Sequence, residues 1–102
     1  MNEHILIVDD ERELAELVSL YLTNAGFRTS VCTDGASALA LVRRETPDLA
    51  LLDVMLPDMS GFDICREIRK THFFPIIMLT AKIEDNDKIL GLTLGADDYI
   101  TK

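Results

Sequence analysis

The side chains of this sequence that could do chemistry stand directly after short apolar runs. Asp9 and Asp10 follow the first run, Asp53 the third and Thr80 the fourth, and Lys102 follows the fifth. Together these positions supply three carboxylates, a hydroxyl and an ammonium. Carboxylates held close together repel one another unless a cation neutralises them, and Mg²⁺ takes about six oxygen ligands. The pattern therefore predicts a magnesium site.

A site of this composition suits phosphate chemistry. Mg²⁺ keeps several coordination positions for water or phosphate oxygens, and a carboxylate held beside it can attack phosphorus to form an acyl phosphate. The metal and the Lys102 ammonium would neutralise charge on the transferring group, while the Thr80 hydroxyl would donate a hydrogen bond to one of its oxygens. These residue types predict phosphoryl transfer to an aspartate.

Apolar runs that predict strands alternate along the chain with amphipathic stretches that predict helices. The predicted strands are His4–Val8 and residues 27–33, 48–52, 75–79 and 97–101. The predicted helix caps and ends are Gly26 after the first helix, Thr33 or Asp34 before the second, Ser60 before the third, and Gly95 after the fourth, residues 84–94. Asp10, with Glu13 three residues later, also resembles a capping box, so Asp10 could be purely structural.

The resulting order, βαβαβαβαβ, predicts an α/β fold. Short connections between alternating elements imply a parallel sheet with right-handed crossovers and helices on both faces. In such sheets ligands bind at the carboxyl ends of the strands, near the point where the strand order reverses. The acids, the threonine and the lysine therefore lie where this fold would place a ligand.

Composition narrows the possible functions. The 102 residues suffice for one domain, and although 48% are apolar, no run approaches a membrane span and no signal peptide is evident, so we expect a cytoplasmic protein. The net charge of −8 repels nucleic acid and membrane surfaces, so we expect neither to be bound by this chain. Cys32 and Cys65 are expected to be buried free thiols, and His4 and His72 have no companion at metal-ligand spacing.

Five segments carry the motifs of a known family. They are residues 5–11 (ILIVDDE), 48–57 (DLALLDVMLP), 60–61 (SG), 75–81 (PIIMLTA) and 95–102 (GADDYITK). Over the whole chain this pattern closely resembles the receiver domains of bacterial two-component response regulators. Residues 91–102 are most similar to the branch with a winged-helix DNA-binding domain, and with residues 87–89 they resemble regulators of vancomycin resistance. The resemblance implies a flavodoxin-like, doubly wound sheet of five parallel strands in the order 2-1-3-4-5.

The resemblance also implies a role for each residue of the metal site. Asp53 would accept the phosphoryl group, and Asp10 and Asp53 would bind Mg²⁺ through their side chains. The backbone carbonyl of Met55 would be a third ligand, while Asp9 would act mainly through a metal-bound water. Taken alone, Met55 is also compatible with a place in the core.

Three further residues would sense the phosphoryl group. By the resemblance, Lys102 would pair with it, and Thr80 and Tyr99 would be the two switch residues. Taken singly, Thr80 could merely end a strand and Tyr99 could be a half-buried strand aromatic. The implied function is a signalling switch in which a sensor histidine kinase phosphorylates Asp53 and so controls a DNA-binding output domain absent from this chain.

Two other functional classes share parts of this pattern. An aspartyl phosphatase also uses a parallel sheet and Mg²⁺, but such an enzyme usually carries a second acid two residues after the nucleophile, where this chain has Met55. A non-phosphorylated interaction module would not need Asp9, Asp10, Asp53, Thr80 and Lys102 together. We therefore expect a switch that catalyses only its own phosphorylation and dephosphorylation.

The family pattern continues past the lysine with a proline and a fifth helix. This chain ends at Lys102, so we expect a receiver domain over residues 1–102 that is truncated before the final helix. In a doubly wound fold, a missing helix leaves apolar strand surface uncovered. We therefore expect this chain to form a homodimer or a higher oligomer.

Overall fold

The computed structural model describes residues 2–80 and 95–101, apart from the side chains of Thr80, Tyr99 and Thr101. Within these residues the strands are β1 (His4–Val8), β2 (Arg28–Cys32), β3 (Leu49–Asp53), β4 (Ile76–Thr80) and β5 (Asp98–Thr101). The helices are α1 (Arg12–Asn24), α2 (Gly35–Arg44) and α3 (Gly61–Arg69). The predicted helix at residues 84–94 lies outside the described residues.

The strands form one parallel sheet in the order β2-β1-β3-β4-β5. The predicted α/β fold is confirmed, with β1 and β3 adjacent at the point where the order reverses. β3 begins and ends one residue later than predicted. Asp48 lies before the strand, where its carboxylate accepts the His4 amide hydrogen bond at 2.7 Å, and Asp53 still pairs with Leu79 of β4.

The two faces of the sheet are covered differently. α2 and α3 pack on the face that carries Leu6, Val8, Leu52 and Met78, all of them fully or almost fully buried. Burying each such side chain stabilises the fold by about 1.5–3 kcal/mol. On the other face α1 covers Ile5 and Ile7, whereas the outward residues of β3 and β4 are only half-buried: Leu49, Leu51, Ile77 and Leu79.

Local capping fixes where the helices begin. Asp34 caps α2 by accepting the Ser37 amide at 2.7 Å, and Ser60 caps α3 by accepting the Phe62 amide at 3.1 Å. α1 differs from the alternative raised by its sequence, because its N-cap is Glu11 and not Asp10, and no side chain caps it. The alternative in which Asp10 serves in a capping box was therefore wrong, and Asp10 remains available for another role.

Arg69 at the end of α3 holds the entrance to β5. Its guanidinium donates to the carbonyl of Gly95 at 2.8 Å and to the carboxylate of Asp97 at 3.0 Å. The same Asp97 oxygen accepts the amide of Ile76 at 2.7 Å. Gly95 has a φ of +107°, and a Cβ there would lie 2.6 Å from Arg69 Cγ, so glycine is required at this approach. These contacts fix β5 against the start of β4.

The cysteines and His4 behave as structural residues. Cys32 and Cys65 are buried free thiols, as predicted, and burial raises the pKa of both. The His4 ring is 2% exposed and its Nε2 lies 2.7 Å from Ser30 Oγ. In the described part of the chain, no helix has the length and apolar character needed to cross a membrane.

Candidate metal centre

Three carboxylates converge at the carboxyl edge of the sheet. One oxygen from each of Asp9, Asp10 and Asp53 lies within 4.8 Å of the others. The pairing of β1 with β3 explains this convergence, because Val8 stands opposite Leu52 and each strand delivers its acid at that end. The three acids that the sequence placed on one rim are therefore brought together.

The three acids differ in exposure and in their local contacts. Asp9 is 1% exposed and Asp53 is 4% exposed, whereas Asp10 lies at the surface. One oxygen of Asp9 accepts the Glu11 amide at 2.9 Å, which fixes its side chain in the turn that leads into α1. Asp10 thus reaches the cluster from the solvent side, while Asp9 and Asp53 form its floor.

This donor set suits a hard divalent cation. Two ionised carboxylates within 4.8 Å repel each other by at least roughly 3 kcal/mol at an effective dielectric constant of about 20. A cation among them replaces this repulsion with attraction, and an all-oxygen set is the one that Mg²⁺ prefers. The three carboxylates therefore suit Mg²⁺ both in the type of their donor atoms and in their closeness to one another.

The loop after Asp53, residues 54–60, closes tightly beside the cluster. Gly61 donates its amide to the Val54 carbonyl at 2.7 Å, and Met55 and Ser60 form an antiparallel bridge. A Cβ on Gly61 would lie 2.2 Å from the Asp53 carbonyl oxygen, so only glycine permits this approach. The backbone of Met55 is therefore held next to Asp53, where the two ends of the loop pair with each other.

Met55 does not belong to the core, since its side chain is 77% exposed. Its amide points back towards Asp53, with a distance of 3.4 Å to Oδ1. A thioether has no proton to donate, so the position two residues after Asp53 lacks the general acid of an aspartyl phosphatase. A thioether is a poor ligand for Mg²⁺, and the predicted contribution of Met55 through its backbone carbonyl stays a prediction.

Comparison with known proteins agrees with this geometry. The family model described as the response regulator receiver domain matches residues 5–102. This chain belongs to that family. It is 60% identical to the regulatory protein VanRc of Enterococcus gallinarum and 52% identical to the DNA-binding response regulator MtrA of Mycobacterium tuberculosis, in both cases over all 102 residues. Those 102 residues span only 44% and 45% of the two relatives.

Solved structures share the receiver fold. The BeF₃-activated N-terminal receiver domain of Klebsiella pneumoniae RstA superposes with a TM-score of 0.93 at 39% identity, covering 98% of this chain and 86% of that one. Chemotaxis response regulator CheY4 of Vibrio cholerae gives 0.94 at 31% identity, covering 100% and 88%. The predicted family, its DNA-binding branch and the likeness to vancomycin-resistance regulators are confirmed.

For two of the remaining predicted site residues, Thr80 and Tyr99, the structure describes the backbone only. Thr80 ends β4 and its backbone stands beside Thr101, one residue beyond the pair formed by Asp53 and Leu79. Tyr99 lies within β5, opposite Met78. The side chains of Thr80 and Tyr99, and the whole of Lys102, lie outside the described residues. Their roles therefore remain predictions.

Two residues near the site were not singled out in the sequence. Asp58 accepts the amides of Gly35 and Ala36 at 2.8 and 3.0 Å, and these hydrogen bonds hold the pKa of its carboxyl below the usual range. Gly61 was recognised only as part of a motif, without its close approach to Asp53. The contacts of Asp58 span more than 20 positions of sequence, so no local pattern could have revealed them.

Proposed function

We propose that this receiver domain accepts a phosphoryl group on Asp53 in a Mg²⁺-dependent reaction and acts as a phosphorylation-controlled signalling switch. The observation that carries the proposal is the cluster of Asp9, Asp10 and Asp53, with an oxygen of each within 4.8 Å of the others. Family membership supports it, because receiver domains are signalling domains of response regulators.

The acids would divide the work of holding the ion. Asp10 and Asp53 would bind Mg²⁺ with their side chains and Met55 with its backbone carbonyl, while Asp9 would act from farther out. Support comes from the exposed position of Asp10 and from the Glu11 amide that engages one oxygen of Asp9. When bound, Mg²⁺ supplies positive charge against the transferring phosphoryl group.

The residues of the chain would then perform the transfer. An oxygen of the Asp53 carboxylate attacks phosphorus, the bond to the leaving group breaks, and an acyl phosphate forms. The Lys102 ammonium and the Thr80 hydroxyl would contact the phosphoryl oxygens. Thr80 and Tyr99 would then report the modification by moving together, a local charge change that biases an element with two states.

The protein around this domain is also part of the proposal. We infer that residues 1–102 form one receiver domain of the five-stranded flavodoxin-like type, cytoplasmic and phosphorylated by a sensor histidine kinase. Because MtrA is named a DNA-binding response regulator and the chain spans about 45% of it, we infer that a DNA-binding output domain follows. Direct contact of this chain with DNA is not expected at a net charge of −8.

Intact-mass measurement of the full-length protein tests the proposal. After incubation with acetyl phosphate, the parent should gain one phosphoryl group in the presence of Mg²⁺ and none in the presence of a chelator. Asp53→Asn should gain none, whereas Asp63→Asn, which changes a partly exposed acid of α3 outside the cluster, should behave like the parent. Equal phosphorylation of Asp53→Asn would overturn the assignment.

A further inference from the structure

The tip of the loop that follows Asp53 is fastened to the start of a different helix. Asp58 lies near the middle of residues 54–60, and its two carboxylate oxygens accept the amides of Gly35 and Ala36 at 2.8 and 3.0 Å. These amides belong to the first turn of α2, where no carbonyl of the helix can accept them. A carboxylate is also favoured there by the helix dipole.

Side-chain packing reinforces this attachment. Gly35 is buried, and a Cβ on it would lie 2.3 Å from Met59 Cγ and 2.5 Å from Met59 Sδ. The absence of a side chain at Gly35 therefore lets the loop approach the helix closely enough for Asp58 to receive both amides. Two neighbouring loop residues thus hold the same helix end, one by hydrogen bonds and one by packing.

The attachment gives a second connection between the two segments that carry the three acids. α2 begins three residues after Cys32, the last residue of β2, and the Cys32 carbonyl accepts the Asp9 amide at 3.0 Å. On the other side, Asp58 connects through the loop to Met55 and Asp53. Two connections therefore join the segment that carries Asp9 and Asp10 to the segment that carries Asp53 and Met55. We call these two segments the arms of the site; one connection runs within the sheet and the other through α2.

We propose that Asp58 is a positioning residue that sets the distance between these two arms, and so the geometry of the Mg²⁺ and phosphoryl site. This inference rests on the proposed function. Asp58 lies outside the cluster, so its effect must pass through the backbone of residues 54–60. Removing it breaks the two hydrogen bonds between the loop tip and α2. The packing of Met59 on Gly35, the hydrogen bond between Val54 and Gly61 and the sheet pairing of Asp53 stay in place.

The chain offers a matched control. Asp34 caps the same helix by accepting the Ser37 amide at 2.7 Å but has no hydrogen bond to the loop among the described residues. Asp34→Ala and Asp58→Ala both remove a carboxylate from the start of α2, and only Asp58→Ala removes the hydrogen bonds between this helix and the loop. Asp58→Asn keeps one acceptor oxygen and serves as the conservative variant.

The test measures Mg²⁺ affinity by calorimetric titration, the rate of phosphorylation by acetyl phosphate, and amide hydrogen exchange at Gly35 and Ala36, all in the full-length protein. Asp58→Ala should weaken Mg²⁺ binding about tenfold, the lower end of what the loss of a partner that orients a metal ligand costs. Exchange at both amides should become faster. Asp34→Ala should bind Mg²⁺ like the parent, and Asp58→Asn should fall between the parent and Asp58→Ala.

The possible results separate this inference from the proposed function. If the parent binds Mg²⁺ and accepts phosphate but Asp58→Ala matches Asp34→Ala in Mg²⁺ affinity, Asp58 is only a helix cap and the inference is wrong. If Asp58→Ala does not fold, Asp58→Asn must still lower Mg²⁺ affinity for the inference to stand. A parent that neither binds Mg²⁺ nor accepts phosphate overturns the proposed function and this inference with it.

Discussion

At the scale of single residues, the three acids of the site have different surroundings despite being the same chemical group. Asp9 is buried and partly engaged by the Glu11 amide, Asp53 is buried at the end of β3, and Asp10 faces solvent. The sequence predicted their convergence because they follow strands that lie side by side. It could not predict their difference in burial, which depends on where α1 and the loop after β3 cover the rim.

This difference predicts unequal effects of neutralising Asp9 and Asp10. Asp10→Asn should weaken Mg²⁺ binding about tenfold more than Asp9→Asn, a difference of roughly 1.4 kcal/mol, because Asp10 is the proposed direct ligand. Asparagine is chosen because it keeps the acceptor that Asp9 offers to Glu11. Calorimetric titration of both variants measures the two losses. Equal losses would contradict the division of roles.

At the scale of elements, the sequence predicted the alternation, the cap Ser60, a cap at Thr33 or Asp34 that the structure resolves as Asp34, and the strand ends that carry the acids. Local patterns succeeded there because a cap or a strand end depends on neighbours in sequence. They failed where distant contacts decide the outcome. Asp53 remains within β3 because it pairs with β4, and Asp58 caps a helix that precedes it by 22 or 23 residues.

The different neighbours of Gly61 and Gly35 predict that these two positions tolerate alanine differently. A Cβ on Gly61 meets the backbone of Asp53 and Val54, which cannot move without disturbing the strand. A Cβ on Gly35 meets the flexible side chain of Met59. Gly61→Ala should therefore destabilise the fold by about 1–3 kcal/mol and Gly35→Ala by less. Urea unfolding of the two variants measures this, and the opposite order would contradict it.

At the scale of the whole molecule, the two faces of the sheet are unequally covered. Among the described residues, Leu6, Val8, Leu52 and Met78 under α2 and α3 are buried. On the α1 side Leu49, Leu51, Ile77 and Leu79 are half-buried. Leaving about 300 Å² of apolar surface in water forfeits roughly 7 kcal/mol, compared with a domain stability of about 5–15 kcal/mol. The 102-residue chain by itself therefore has a physical reason to associate.

We expect the isolated 102-residue chain to form a dimer or higher oligomer that buries the α1-side surface of β3 and β4. Light scattering across a concentration series measures the mass. Leu51→Lys places a charge on this surface and should shift the population towards monomer, whereas Ser37→Lys, at an exposed position of α2, should not. A cooperatively folded monomer at every concentration would contradict the prediction, because it would show that the domain is stable with this apolar surface exposed.

The central claim is that Asp53 is the residue that carries the phosphoryl group, and chemical trapping tests it most directly. Borohydride reduces an acyl phosphate to an alcohol, so an aspartyl phosphate becomes homoserine at the position that was modified. The full-length protein would be phosphorylated with acetyl phosphate and Mg²⁺, reduced, digested and sequenced by mass spectrometry. We predict homoserine at position 53 alone, and none in a sample treated with chelator. Homoserine at position 9 or 10, or at any acid outside the cluster, would contradict the claim.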